Sequence, residues 1–162
     1  MQIAETSQTQ SPFLIRVSRI GQPVCWLLGA VGRIYLAYCP EAEREAILKR
    51  LRKSEALEDR LARDSRRLDR ILAETRQRGY GTRDTSFGGG AYKGPPVDDG
   101  LAAIAVALVG RNRVYGSINI LFTRSASTVE AFADRHLLHL RDAAAEIVSA
   151  LEVARSGGRR PK

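Results

Sequence analysis

The sequence predicts an α+β domain, an antiparallel sheet flanked by helices, on three observations. Its two strongest strand patterns, Leu101–Val109 and Val114–Phe122, are separated only by Gly110-Arg111-Asn112-Arg113, so they pair as a hairpin. Apolar residues recur at helical spacing in several other segments, two of which stop at Pro40 and at Gly79. A chain of 162 residues, 44% apolar and 27% charged, is long enough for one domain with a real core and ordinary in composition for a globular protein.

In chain order, Gln2–Glu5 is a weakly patterned edge-strand remnant, and Pro12–Val17 is a better strand because Phe13, Ile15 and Val17 alternate with Leu14 and Arg16. Gly21-Gln22-Pro23 reads as a turn. Leu27–Tyr38 is an apolar helix with Leu28, Val31, Tyr35 and Tyr38 on one face. Pro40 suits the first turn of the next helix, Glu41–Arg52, whose missing N–H would be unpaired there anyway. That helix has an acidic start and a basic end, complementing its dipole, and carries Ala42, Ala46, Ile47 and Leu51 inward, with Glu45 and Lys49 paired outside. A longer helix spans Leu57–Arg78 and stops at Gly79. Its arginines Arg60, Arg63, Arg67 and Arg70 lie on one side, but Asp59 with Arg63, Arg60 with Asp64 and Arg70 with Glu74 are opposite-charge pairs at i, i+4, which reads as a solvated, salt-laced face rather than a phosphate site.

Tyr80–Asp84 is a short strand. Thr85–Gly100, with three consecutive glycines and two prolines, is a long loop; Phe87 and Tyr92 give it rings to pack with or to close over a ligand. It is no phosphate loop, because no G-K-[ST] follows. A two-residue turn at Arg111-Asn112 pairs Ala102 with Leu121, Ile104 with Asn119 and Val106 with Ser117 on one face, leaving Ala103, Ala105 and Ala107 with Gly116, Ile118 and Ile120 on the other. Ser127-Thr128-Val129-Glu130 is a capping box opening a helix to about Ala154, with Phe132, Leu140, Ala144, Ile147 and Leu151 inward.

The formal net charge of +8 permits anionic partners without demonstrating them. Four of the positive charges lie in Arg155–Lys162, a solvated tail. Two cysteines, Cys25 and Cys39, are too few for a disulfide framework and read as reduced and buried. No signal peptide opens the chain, and Val24–Cys39 holds Arg33 and is too short to span a bilayer, so the expected location is cytoplasmic.

Catalysis and cofactors find no support. His136 and His139 sit at i, i+3 on an amphipathic helix without the further ligands a structural zinc needs, and no G-x-S-x-G occurs. Asn119 stands out as an amide on an apolar strand face: it is hydrogen-bonded within the fold or it reads a ligand. Gly29-Ala30 opens a helix, and its small residues serve either close packing or an anion on the free N–H groups. A carboxylate there, its body against Trp26, Ile104 and Leu121, makes a coherent pocket.

Two motifs carry a family resemblance over about Gln2 to Leu151. GAVGRIYLAYCPEAERE (Gly29–Glu45) resembles the signature of the effector-binding domain of IclR-type bacterial transcriptional regulators, and ILAETRQRGYGTRD (Ile71–Asp84) resembles that family's helix ending in R-x-x-GY before an acidic strand. Within the family, SPFLIRVSRIG and GSINI are similar to regulators of aromatic-acid catabolism. The resemblance implies a GAF- or profilin-like sensory fold over residues 1–154 and a disordered basic tail over 155–162. It implies a ligand carboxylate held by backbone at Gly29-Ala30, with further contacts near Arg83 or Asp84, at Ala102 and Ile104, and at Asn119 and Leu121. Arg83 departs from the acid of the best-known members. Asn119 and Leu121 replace small serines, which implies a larger, aromatic carboxylate. The implied partners are that effector and a second copy, as homodimer or homotetramer, with DNA bound only through an N-terminal winged helix-turn-helix that the sequence lacks. The competing reading is a basic nucleic-acid-binding or protein-interaction domain without a small ligand.

Overall fold

The computed structural model describes residues 1–6, 20–88 and 98–157. Helices α1 (Ala30–Tyr38) and α2 (Glu41–Arg52) lead into a 3-10 helix (Leu57–Arg63) and α3 (Ser65–Arg78). Strands β1 (Gly81–Thr82), β2 (Leu101–Val109) and β3 (Val114–Thr123) then precede the long α4 (Val129–Gly157). The fold is α+β, as expected. Among the described residues the sheet has the order β1-β2-β3 and is antiparallel throughout. The expected strand at Pro12–Val17 lies outside the described residues. Gln2 forms a bridge with Pro23, and the Gly21 and Ile3 amides donate to Ile3 and Gln22 carbonyls at 2.8 and 2.9 Å.

Helix α1 is buried on nearly every side, which its apolar composition allows. One side lies on Ala103, Ala105 and Ala107 of β2, whose small side chains let the helix approach the sheet. The other carries Tyr35, Leu36 and Ala37 into a second cluster with Ile47, Leu48 and Leu51 of α2 and Leu68 and Leu72 of α3. The single face read from Leu28, Val31, Tyr35 and Tyr38 is therefore too simple, since Tyr38 is exposed. Helix α2 has the expected bounds with Pro40 as its N-cap. Its buried line is Ile47, Leu48 and Leu51, while Ala42 and Ala46 are exposed, and Glu45 pairs with Arg52 at 3.4 Å.

The helix expected over Leu57–Arg78 is broken at Asp64, whose carboxylate accepts from the Arg67 amide at 3.0 Å and caps α3. Arg63 donates to the Arg52 and Ser54 carbonyls. Gly79 ends α3 with φ +72°, a left-handed turn that glycine adopts without a Cβ penalty. Helix α4 covers the opposite face of the sheet, burying Ala133, Leu140 and Ala144 against Ala102, Ile104, Val106 and Phe122. Ile147 and Leu151, expected inward, are 38% and 37% exposed. The N-cap is Thr128, accepting from the Ala131 amide at 3.2 Å, rather than Ser127, and the helix continues through Arg155 to Gly157. Residues 158–162 of the basic tail lie outside the described residues.

The hairpin departs from the expected register. Val109 faces Val114, as a two-residue turn requires, but Leu108 faces Gly116, so Tyr115 is left unpaired in a bulge. From there down, every pair is shifted by one: Ala107 faces Ser117, Ala105 faces Asn119 and Ala103 faces Leu121. A one-residue shift exchanges the two faces of a strand. Ser117, Asn119 and Leu121 therefore share the α1 face with the alanines, and the Ser117 hydroxyl donates to the Val31 carbonyl at 3.0 Å. Ile118, Ile120 and Phe122 turn toward α4.

Candidate functional site

The turn before α1 is built by close backbone approach. A Cβ on Gly29 would stand 2.7 Å from the Cys25 carbonyl oxygen, and one on Gly32 2.5 Å from the same atom. A Cβ on Gly81 would collide with the Ala30 carbonyl. Gly29 is extended (φ −81°, ψ 142°) and is the N-cap of α1 without a side-chain cap. The Gly29 carbonyl accepts from the Arg33 amide at 3.1 Å.

Arg33 organises this corner. It is 6% exposed, and burial of a guanidinium requires that its donors be paired. Its Nε donates to the Leu27 carbonyl at 2.6 Å, Nη1 to the Thr82 carbonyl at 3.3 Å and Nη2 to the Asp84 carboxylate at 2.6 Å. The Asp84 amide in turn donates to the Leu28 carbonyl at 2.8 Å. Burial pushes the Asp84 carboxyl up, but hydrogen bonds from Ser86 and the bond and charge of Arg33 outweigh it and hold the group below its ordinary range.

Arg83 follows on the strand. Its amide donates to the Ala103 carbonyl at 3.4 Å, continuing the ladder in which Gly81 faces Ala105 and Thr82 faces Ile104. Strand alternation thus puts Arg83 on the face of Gly81 and Ala103, and Arg83, Ala103 and Leu121 form one row across three strands. Its guanidinium lies over the Phe87 ring, 4.9 Å from the centroid.

The fold brings Gly29, Ala30, Arg83, Asn119 and Leu121 to the α1 side of the sheet. Asp84 is tied into the same corner through Arg33. Ala102 and Ile104 are not among them: they are buried on the opposite face, in the core under α4. Asn119 is exposed, so no buried amide requires a partner there, and Leu121 is 38% exposed.

Trp26 also stands elsewhere, with its ring edge-on to Tyr35 at 5.7 Å. The two rings line a cleft of about 250 Å³ with Met1, Glu43, Ile47, Arg50 and Tyr115. The sequence reading overlooked the full clamp of Arg33. A lone Arg in an apolar helix was the available signal.

Phe87 is described, whereas Tyr92 is not. Among the described residues no group of three or more His, Cys, Asp or Glu side chains could hold a metal ion, and His136 packs against Phe132 at 4.3 Å. No described helix is long and apolar enough to cross a membrane.

Residues 3–149 match the family model of the bacterial transcriptional regulator IclR C-terminal domain. Solved structures agree. An IclR family transcriptional regulator from Brucella abortus aligns with a TM-score of 0.59 at 25% identity, covering 88% of this chain and 48% of the other. The Thermotoga maritima IclR aligns at 0.63 with 26% identity, covering 88% and 53%. The inducer-binding domain of the PobR transcription factor from Acinetobacter, a double mutant in complex with 3-hydroxybenzoic acid, shares the fold at 0.59 with 15% identity, covering 89% and 77%. The chain spans about half the length of the first two.

Proposed function

Because the chain belongs to the IclR family of bacterial transcriptional regulators, through their C-terminal domain, we propose that it senses a small carboxylate, of aromatic type, on the α1 face of its sheet. The family is one of regulators, not of enzymes. The observation that carries the reading is the one-residue register shift, which sets Asn119 and Leu121 on the same face as Arg83, across from Ala105 and Ala103 on which Ala30 packs, instead of in the core. A buried cation, a free amide and an exposed apolar side chain on one face are the elements that recognise an acid with an organic body. Leu121 favours a body larger than a two- or three-carbon keto acid. The 3-hydroxybenzoic acid bound by the PobR domain is an acid of this kind on the same fold. Occupancy biases how two copies associate, and through them the spacing of DNA-reading domains in the whole regulator. Such a regulator works in the cytoplasm and touches DNA only outside this domain, which on this reading spans residues 1–154.

The test is a thermal-shift screen with hydroxybenzoates, phenylpropionates and cinnamates beside glyoxylate and pyruvate. A ligand at one hundred times its Kd adds about 2.7 kcal/mol to stability, an easily read shift. An aromatic hit that Asn119→Ala weakens supports the reading; a folded protein that no acid shifts refutes it. Gly29→Val is unsuited as a control, because the Cys25 carbonyl occupies the space a side chain would need.

A further inference from the structure

Arg83 is already held by a carboxylate of the chain itself, but only by one prong. Its side chain is 5% exposed. Nη2 donates both to the Phe87 carbonyl and to Asp99 Oδ2, each at 2.5 Å. Nε is buried and has no hydrogen-bond partner. In a guanidinium, Nε–H and Nη2–H lie along one edge and form the fork that takes both oxygens of a carboxylate side by side. Asp99 does not fill that fork. Its second oxygen, Oδ1, instead accepts from the Leu101 amide at 3.0 Å.

We infer that Asp99 is a resident stand-in for an external carboxylate, and that an incoming acid displaces it from Arg83 by bonding Nε and Nη2 together. The inference rests on the carboxylate-sensor reading above and says which residue receives the acid and what it must dislodge. The exchange is favourable because it pairs a buried donor that Asp99 leaves unpaired. The acid enters by taking the place of Asp99, which is the more accessible partner, 27% exposed against 5% for Arg83. The Phe87 ring already stacked on the guanidinium offers a planar organic acid a flat neighbour. Once displaced, Asp99 keeps only its bond to the first residue of β2, so ligand occupancy is registered at the start of that strand. The edge-on fork selects carboxylates over neutral amides of the same shape.

The experiment follows the Arg83 Nε–H resonance of the ¹⁵N-labelled chain while benzoate or glyoxylate is added, with benzamide as the neutral control. The resonance is expected to move with the acid and not with benzamide. Asp99→Asn, which removes the competing charge, should tighten acid binding about fivefold or more, and Arg83→Lys, which keeps the charge but not the fork, should weaken it about tenfold. Acid binding that leaves the Nε–H resonance unmoved, or that Asp99→Asn leaves unchanged or weakens, overturns the exchange while sparing the sensor reading. If folded wild-type protein and Asp99→Asn bind neither acid, nor any acid of the thermal-shift screen, both fall together. The benzoate–benzamide comparison on wild type needs no variant to fold.

Discussion

Arg33 on α1 and Asp84 after β1 are 51 residues apart in the chain, yet their side chains meet at 2.6 Å. The pair ties the turn before the first helix to the end of the first strand, because Arg33 also takes the Leu27 and Thr82 carbonyls.

Replacing Arg33 by Met should therefore destabilise the domain by about 2–3 kcal/mol. This is below the cost of breaking a fully buried pair, since Asp84 is 22% exposed and partly screened by solvent. The pH dependence follows from the lowered Asp84 carboxyl. A group whose folded pKa is depressed contributes stability that is present above its unfolded value and lost as pH falls through the folded one. Urea titrations of wild type and Asp84→Asn should thus differ at neutral pH and converge in acid, below the ordinary carboxylate range.

Gly32→Ala and Gly81→Ala should each cost about 1–3 kcal/mol, since the new methyl meets backbone that cannot swing away. Gly100→Ala is the contrast: its φ of +69° strains an alanine, but nothing lies within 4 Å of the new Cβ. Its loss should be nearer about 1 kcal/mol. Denaturant midpoints measure all three.

Cys39 should resist alkylation in the native state. Burial, followed by the nearby Glu43, pushes its thiol up to about 11, so the reactive thiolate is scarce at neutral pH. The unfolded chain ionises at the ordinary thiol value, so the native state binds more protons between that value and 11, and stability falls as pH rises through this window. Iodoacetamide labelling read by mass spectrometry should mark Cys39 slowly until denaturant is added. A Cys39→Ser variant should lose part of the alkaline slope.

Asn119→Ala should change stability by less than about 0.5 kcal/mol, because the amide is exposed. Had the amide been buried and paired, the loss would be about 1–3 kcal/mol. Urea unfolding distinguishes the two cases, and separates a change in ligand affinity from a change in fold.

Much of this was legible in the residues. The bounds of α2 followed from its charge order, the end of α3 from Gly79, and both hairpin strands from their apolar runs. Other features depend on what the chain meets in space. Asp64 had the residue type of a helix cap, but i, i+4 charge pairing across it masked the break. The faces of the hairpin differ from the expected ones for one reason: the turn geometry fixed its tip, and the bulge at Tyr115 then reversed the faces below it. Ala102 and Ile104 went into the core and Asn119 came to the surface; Trp26, outside the hairpin, is in a different cleft through its contact with Tyr35.

That bulge works as a reading frame for β3. Tyr115 is the supernumerary residue, pinned by its hydroxyl on Glu152 at 3.0 Å. Deleting Tyr115 outright would leave the strand in phase, whereas ironing the bulge flat with Tyr115 still present would put it out of phase. Asn119 and Leu121 would then turn under α4 while Ile118 and Ile120 surfaced. The face proposed for the ligand is thus guarded from the far end of the hairpin, by a tyrosine and a glutamate bonded to each other.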